Sequence, residues 1–133
     1  MNIKQSELLQ SFEACTIDAS LFDHTAHIRV AYEMLNQYDF LKASYKYAEG
    51  IYNLAKRVGA PTKFNATITL SFLSLIAERM EVTPHINFED FLEQHPDLTS
   101  KHILNKWYSS ERLQSDLARS VFLMPDAQVE SQI

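Results

Sequence analysis

From Leu21 to Tyr38 the apolar residues return at helical spacing: Ile28, Ala31, Leu35 and Tyr38 share one face, and His24 and His27 head that same face one turn apart. A pair of imidazoles at the top of an apolar stripe is directed inward. Histidine is only intermediate in burial and needs a hydrogen-bond partner once enclosed, so the pair marks a site of some kind. The rest of the chain must then be helical too. With two glycines and four prolines it holds too little turn chemistry for an all-β fold of 133 residues.

At that length a single domain over 1–133 buries a real core without disulfides or a structural metal. Twelve basic against 17 acidic residues leave a net charge of -5, which argues against a phosphate-binding surface and makes nucleic acid a poor partner. The lone Cys15 cannot form an internal bridge or a multi-cysteine zinc cluster, which points to a reducing compartment. There is no signal-peptide pattern and no apolar run of membrane-spanning length, so the expectation is a soluble cytoplasmic protein.

Read in order, Ser6 caps a short helix that places Leu8, Leu9, Phe12 and Cys15 at helical spacing and ends near Cys15. Ser20 or Asp23 caps the histidine helix, which runs to about Tyr38. A second long helix, about Phe40 to Val58, is expected to bury Phe40, Ser44, Tyr47, Ala48, Ile51, Leu54, Ala55 and Val58, and its internal Gly50 implies close approach of another backbone. Gly59 and Pro61 end it. The third, about Thr62 to Met80, carries Asn65, Ile68, Thr69 and Phe72 on one face, with Leu70, Leu73 and Ala77 widening the apolar arc; it is the natural centre of the core. Asn87 caps FEDFLEQ with Asp90 at the capping-box position, and Pro96 separates that helix from the next. Thr99 or Ser100 opens the following segment, and Ser110 or Ser115 caps short turns beyond it. From Pro125 the periodicity stops, as in a loose tail. The expectation is a compact all-α bundle of three long helices, with shorter N- and C-terminal helices.

If the long helices run up, down and up, the first and third begin at the same end, and His24 and His27 stand level with Asn65, Thr67 and Thr69. Two imidazoles, an amide and two hydroxyls, floored by Phe64, Ile68, Phe72 and Ala31, make a small-ligand pocket. An i,i+3 histidine pair can also share a divalent transition metal, but a stable centre wants a third protein group. Asp23, Glu33, Glu78 or a histidine from the C-terminal part are the candidates, but Glu33 points off the histidine face by spacing and Glu78 sits at the far end of its helix.

These residues resemble the pattern of a family of small, uncharacterised bacterial all-helical proteins: F-x-H-x-x-H-[LIV]-R-x-A, K-Y-H-E-T-x-T, Y-Y-S and S-x-x-A-R-x-x-F-x-x-P-D. Here the segments are Phe22, His24, His27, Ile28, Arg29 and Ala31; Lys63, Phe64, Asn65, Ala66, Thr67 and Thr69; Trp107, Tyr108 and Ser109; and Ser115, Ala118, Arg119, Phe122, Pro125 and Asp126. The resemblance implies a three-histidine metal site, with or without an added carboxylate. This chain has Asn65 and Ala66 where that pattern has the third histidine and the glutamate. Asparagine is a weak ligand for a transition metal, so the expectation becomes a polar pocket without a tightly held ion.

Other polar residues have ordinary explanations. Arg29 and Arg119 are expected in ion pairs rather than clamping an anion, and Tyr108 is expected to pack with its hydroxyl at the surface. Cys15 has no base nearby in sequence, and His85, His95 and His102 carry no spacing signal. Neither a Gly-rich phosphate loop nor a hydrolase or metalloprotease motif is present. Three readings follow: a soluble binding domain for a small ligand or weakly held metal at His24, His27, Asn65, Thr67 and Thr69; an enzyme using a metal or the histidines there; or an interaction protein, with those residues structural and function on an external surface or homodimer interface.

Overall fold

The computed structural model describes residues 6–126. Among them every regular element is helical and there is no strand. Helix α1 (Glu7–Glu13) leads through a 3₁₀ turn at Ala19–Leu21 to α2 (His24–Gln37) and α3 (Phe40–Arg57). A second 3₁₀ turn at Pro61–Lys63 precedes α4 (Ala66–Val82). After α5 (Phe88–Gln94) come 3₁₀ turns at Pro96–Thr99 and Ile103–Lys106, then the short helices α6 (Ser110–Leu113) and α7 (Asp116–Ser120). Among the described residues no helix is long and apolar enough to cross a membrane.

Short polar side chains set the helix starts. Ser6, Asp23, Asp39, Asn65, Asn87, Ser109 and Ser115 each accept a hydrogen bond from a backbone N–H in the first turn that follows. Each such cap is worth about 1 kcal/mol. Two starts differ from the sequence reading. Ser109, not Ser110, caps α6. The long helix α4 begins at Ala66 rather than near Thr62, because Pro61 opens its own 3₁₀ turn and Asn65 takes an extended backbone and turns its carboxamide oxygen onto the Ile68 N–H.

Helices α2, α3 and α4 touch one another pairwise, and α4 also meets α7 and the 103–106 turn. The core is built from Ile28, Val30, Ala31 and Met34 of α2, Leu73 and Ile76 of α4, Leu9 and Phe12 of α1, and Phe91 and Leu98. Burial of each large apolar side chain contributes roughly 1.5–3 kcal/mol. The stripe expected on α3 is covered over only part of its length: Ala43 and Tyr47 are buried, whereas Phe40 and Val58 are exposed and Ile51 and Ala55 are half-buried. Gly50 is approached not by a backbone but by the Phe12 ring, which a Cβ at that position would overlap. Phe12 is itself sandwiched, 5.5 Å from the Phe22 ring and 6.1 Å from that of Tyr47.

Beyond α7 the chain crosses α4 in an extended segment tied down at almost every residue. Thr67 Oγ1 donates to the Val121 carbonyl and accepts from the Leu123 N–H, and Tyr108 Oη donates to the Leu123 carbonyl at 2.8 Å. Arg112 holds the Met124 carbonyl, and the Asp126 carboxylate accepts from both the N–H and the hydroxyl of Ser109. The Tyr108 hydroxyl is thus buried in a hydrogen bond rather than at the surface. Of the tail expected from Pro125, Asp126 is held in place and residues 127–133 lie outside the described residues.

Candidate functional site

Both histidines sit in the first turn of α2, where Asp23 caps the helix through the Ala26 N–H. His24 Nε2 lies 2.8 Å from the Leu98 carbonyl oxygen, and His27 Nδ1 lies 2.8 Å from that of Asp23. A carbonyl can only accept, so these two nitrogens carry protons and donate; in the neutral tautomer of each ring the lone pair falls on His24 Nδ1 or His27 Nε2. The His27 ring packs against Phe22 at 4.1 Å, and His24 against Phe72 at 5.4 Å. Burial pushes the His27 pKa below the usual histidine range, opposed by its bond to the Asp23 carbonyl.

The two imidazoles line a cavity of about 420 Å³ together with Asn65, Ile68, Thr69 and Phe72 at the start of α4. Tyr47, Ile51 and Ala55 of α3, with Phe64, form its remaining apolar wall, and Lys63 and Lys101 complete the lining. Its size falls at the small end of the ~300–1,000 Å³ range of small-molecule sites. Ile51 and Ala55 are half-buried and both line this cavity.

Within the cavity the polar residues play different parts. Asn65 is engaged at both ends of its carboxamide, the oxygen accepting the Ile68 N–H and the amide donating to the Leu113 carbonyl at 2.7 Å. Thr69 is only 8% exposed, and its hydroxyl has no hydrogen-bond partner among the described residues. Thr67 does not line the cavity, because its hydroxyl serves the C-terminal segment, and Ala31 lies in the core behind it.

A resident transition metal does not suit this donor set. His24 Nδ1 and His27 Nε2 supply at most two nitrogen donors, and Asn65, a weak ligand in any case, is spent as a cap. Among the described residues no three histidine, cysteine, aspartate or glutamate side chains gather in a way that could hold an ion. Of the acids considered from the sequence, Asp23 is the α2 cap, Glu33 accepts from Ser6 and Arg29, and Glu78 lines a different cavity. Arg29 pairs with Glu33 and Glu89, and Arg119 with Asp116.

Three further features were not legible beforehand. Lys63 and Lys101 carry no periodicity that would place them beside the histidines. A second cluster joins Arg79 to Asp97 through two 2.9 Å bonds, with Lys106 also on Asp97 and the Arg79 guanidinium donating to His95 Nδ1. This holds the Asp97 carboxyl at a pKa of about 2. Finally, an apolar groove of about 480 Å³ runs between α4 and the C-terminal segment, walled by Leu75, Val82, Trp107, Phe122 and Met124. No family model, curated protein or solved structure matches this chain.

Proposed function

We propose that this chain is a soluble, cytoplasmic single-domain binding protein, a bundle of α2, α3 and α4, that takes up a small ligand in the cavity bounded by His24, His27 and Thr69. The observation that carries the reading is the Thr69 hydroxyl. The hydroxyl opens onto the cavity rather than into the packed core, so it can donate to or accept from whatever enters. A hydroxyl left open in a largely apolar cavity, beside two imidazoles with their tautomers set by backbone carbonyls, is the composition of a ligand site. Kinship with the small bacterial proteins of the H-x-x-H-x-R-x-A pattern belongs to the same proposal. In this member the pocket would serve an organic ligand, with Asn65 holding the helix start.

The test is a fragment screen on isotopically labelled protein, following the ring signals of His24 and His27 and the methyl signal of Thr69. The expected result is a compound that moves all three together in a saturable way. A screen whose hits move only the Trp107 and Phe122 signals of the α4 groove, or that yields no hits at millimolar concentration, would refute the reading.

A further inference from the structure

We infer that the ligand of this cavity is a small monocarboxylate: a compact apolar body with one anionic head, held at the Lys63 and Lys101 edge. The inference rests on the binding reading above and adds the ligand's charge class. Its first support is the composition of the wall, which contains two lysines and no aspartate or glutamate, in a chain whose net charge is -5. A local excess of positive charge in an acidic protein runs against the average.

The second support is that both ammonium groups are unengaged. Lys46 and Lys106 are paired with Glu13 and Asp97, and Lys42 and Lys56 lie over tyrosine rings. Lys63 and Lys101 make no hydrogen bond, ion pair or ring contact among the described residues. The third is α4 itself, a 17-residue helix that starts at the cavity with a neutral Asn65 cap and no acidic residue in its first turn, so its N-terminal partial positive charge is uncompensated.

Carboxylate fits better than phosphate. The wall offers no arginine, no glycine-rich run of free N–H groups, and mostly apolar surface. The two ammonium groups stand at one edge of the wall and the aromatic and aliphatic side chains elsewhere on it, so the head group belongs at the lysines and the apolar body against Phe64, Ile68 and Phe72. Thr69 then donates its hydroxyl proton to whatever acceptor the ligand carries inward.

The experiment compares matched probes on the full chain by calorimetry and by the His24, His27 and Thr69 signals. The probes are benzoate, phenylacetate and isobutyrate, each against its primary amide and alcohol, with benzylamine and inorganic phosphate as controls. At least one carboxylate is expected to bind about tenfold or more tighter than its neutral partners, the range of a hydrogen bond to a charged group. The double variant Lys63→Gln, Lys101→Gln should erase that advantage, so that each carboxylate binds no tighter than its own amide or alcohol. If amides, alcohols or benzylamine bind as well as the carboxylates, or phosphate binds as tightly, the charge assignment falls while the binding reading survives. If no probe, charged or neutral, moves the three signals, the binding reading falls with it.

Discussion

Thr67 and Leu123 are joined through a single hydroxyl: Thr67 Oγ1 accepts the Leu123 N–H at 3.0 Å and donates to the Val121 carbonyl at 2.6 Å. Two backbone groups of the C-terminal segment therefore depend on one side chain of α4. Thr67→Val keeps the shape and strands both groups, so the expected loss of unfolding free energy is about 2 kcal/mol or more. Thr69→Val, one residue pair further along the helix, removes a hydroxyl that has no partner among the described residues and should stay within about 1 kcal/mol of the wild type. Urea melts of the two variants decide it; equal losses would contradict the division of labour between the two threonines.

Gly50 and Phe12 make a second dependence of this kind. On an open helix, Gly50→Ala would gain about 1 kcal/mol in helix propensity. Here the new methyl meets the Phe12 ring, itself wedged between Phe22 and Tyr47, and overpacking costs about 1–3 kcal/mol. The expected sign is net destabilisation. Phe12→Leu is itself destabilising, but combined with Gly50→Ala it should cost less than the sum of the single changes, because the ring that the methyl strikes is gone. A stabilised Gly50→Ala protein would show that the ring moves aside freely.

These two positions also mark how far the sequence could be read. Helix periods and caps at Ser6, Asp23, Asn87 and Ser115 are local signals, since each concerns residues three or four apart, and they were legible. Gly50 announced a close approach but not that a phenylalanine from α1 made it. Thr67, Thr69 and Asn65 were grouped as pocket residues level with the histidines, yet their spacing could not separate a strap, an open hydroxyl and a cap. That distinction depends on what lies across from them: Val121 and Leu123 for the first, a cavity for the second, Ile68 and Leu113 for the third. Lys63 belongs to the second motif and was expected inside the helix, and Lys101 was not singled out; neither was assigned to the cavity, because both fall in connections whose course no periodicity fixes. The segments read as family motifs include much of the hydrogen-bonded strap, with Thr67, Tyr108, Ser109 and Asp126 all in it, so part of that pattern has a structural explanation.

Acid should weaken the fold in two separate windows. His27 and His95 both lie below the histidine reference of 6.5, burial being the first cause for each. As pH falls below 6.5 the unfolded chain takes up these protons before the folded one, so stability drops until the folded groups also titrate. Asp97 acts lower down. Its bonds to Arg79 hold the folded pKa at about 2 against 3.8, so its contribution is complete above 3.8 and is lost as pH falls towards 2. Unfolding free energies from pH 7 to 2 should show both declines. His27→Gln should reduce the upper decline, leaving the His95 part, whereas Asp97→Asn should remove the lower one and deepen the His95 part of the upper one, because the Asp97 charge opposes the lowering of the His95 pKa. A wild-type curve level from pH 7 to 5 would contradict the lowered histidine pKa values.

Position 65 offers the sharpest check on the metal question, because the resemblance places a histidine there. In this chain the Asn65 carboxamide turns along the helix axis to cap α4 and donates to the Leu113 carbonyl, so Asn65→His loses a cap worth about 1 kcal/mol and strands a second group. For an imidazole at 65 to join His24 and His27 on an ion, it would have to leave the cap position altogether. The expected variant is less stable than the wild type, and zinc does not restore it. Thermal melts with and without zinc, repeated in the Asn65→His, His24→Ala background, provide the measurement. A zinc-dependent rise that disappears when His24 is removed would mean that the cavity retains the geometry of a metal site and that Asn65 is its only missing ligand.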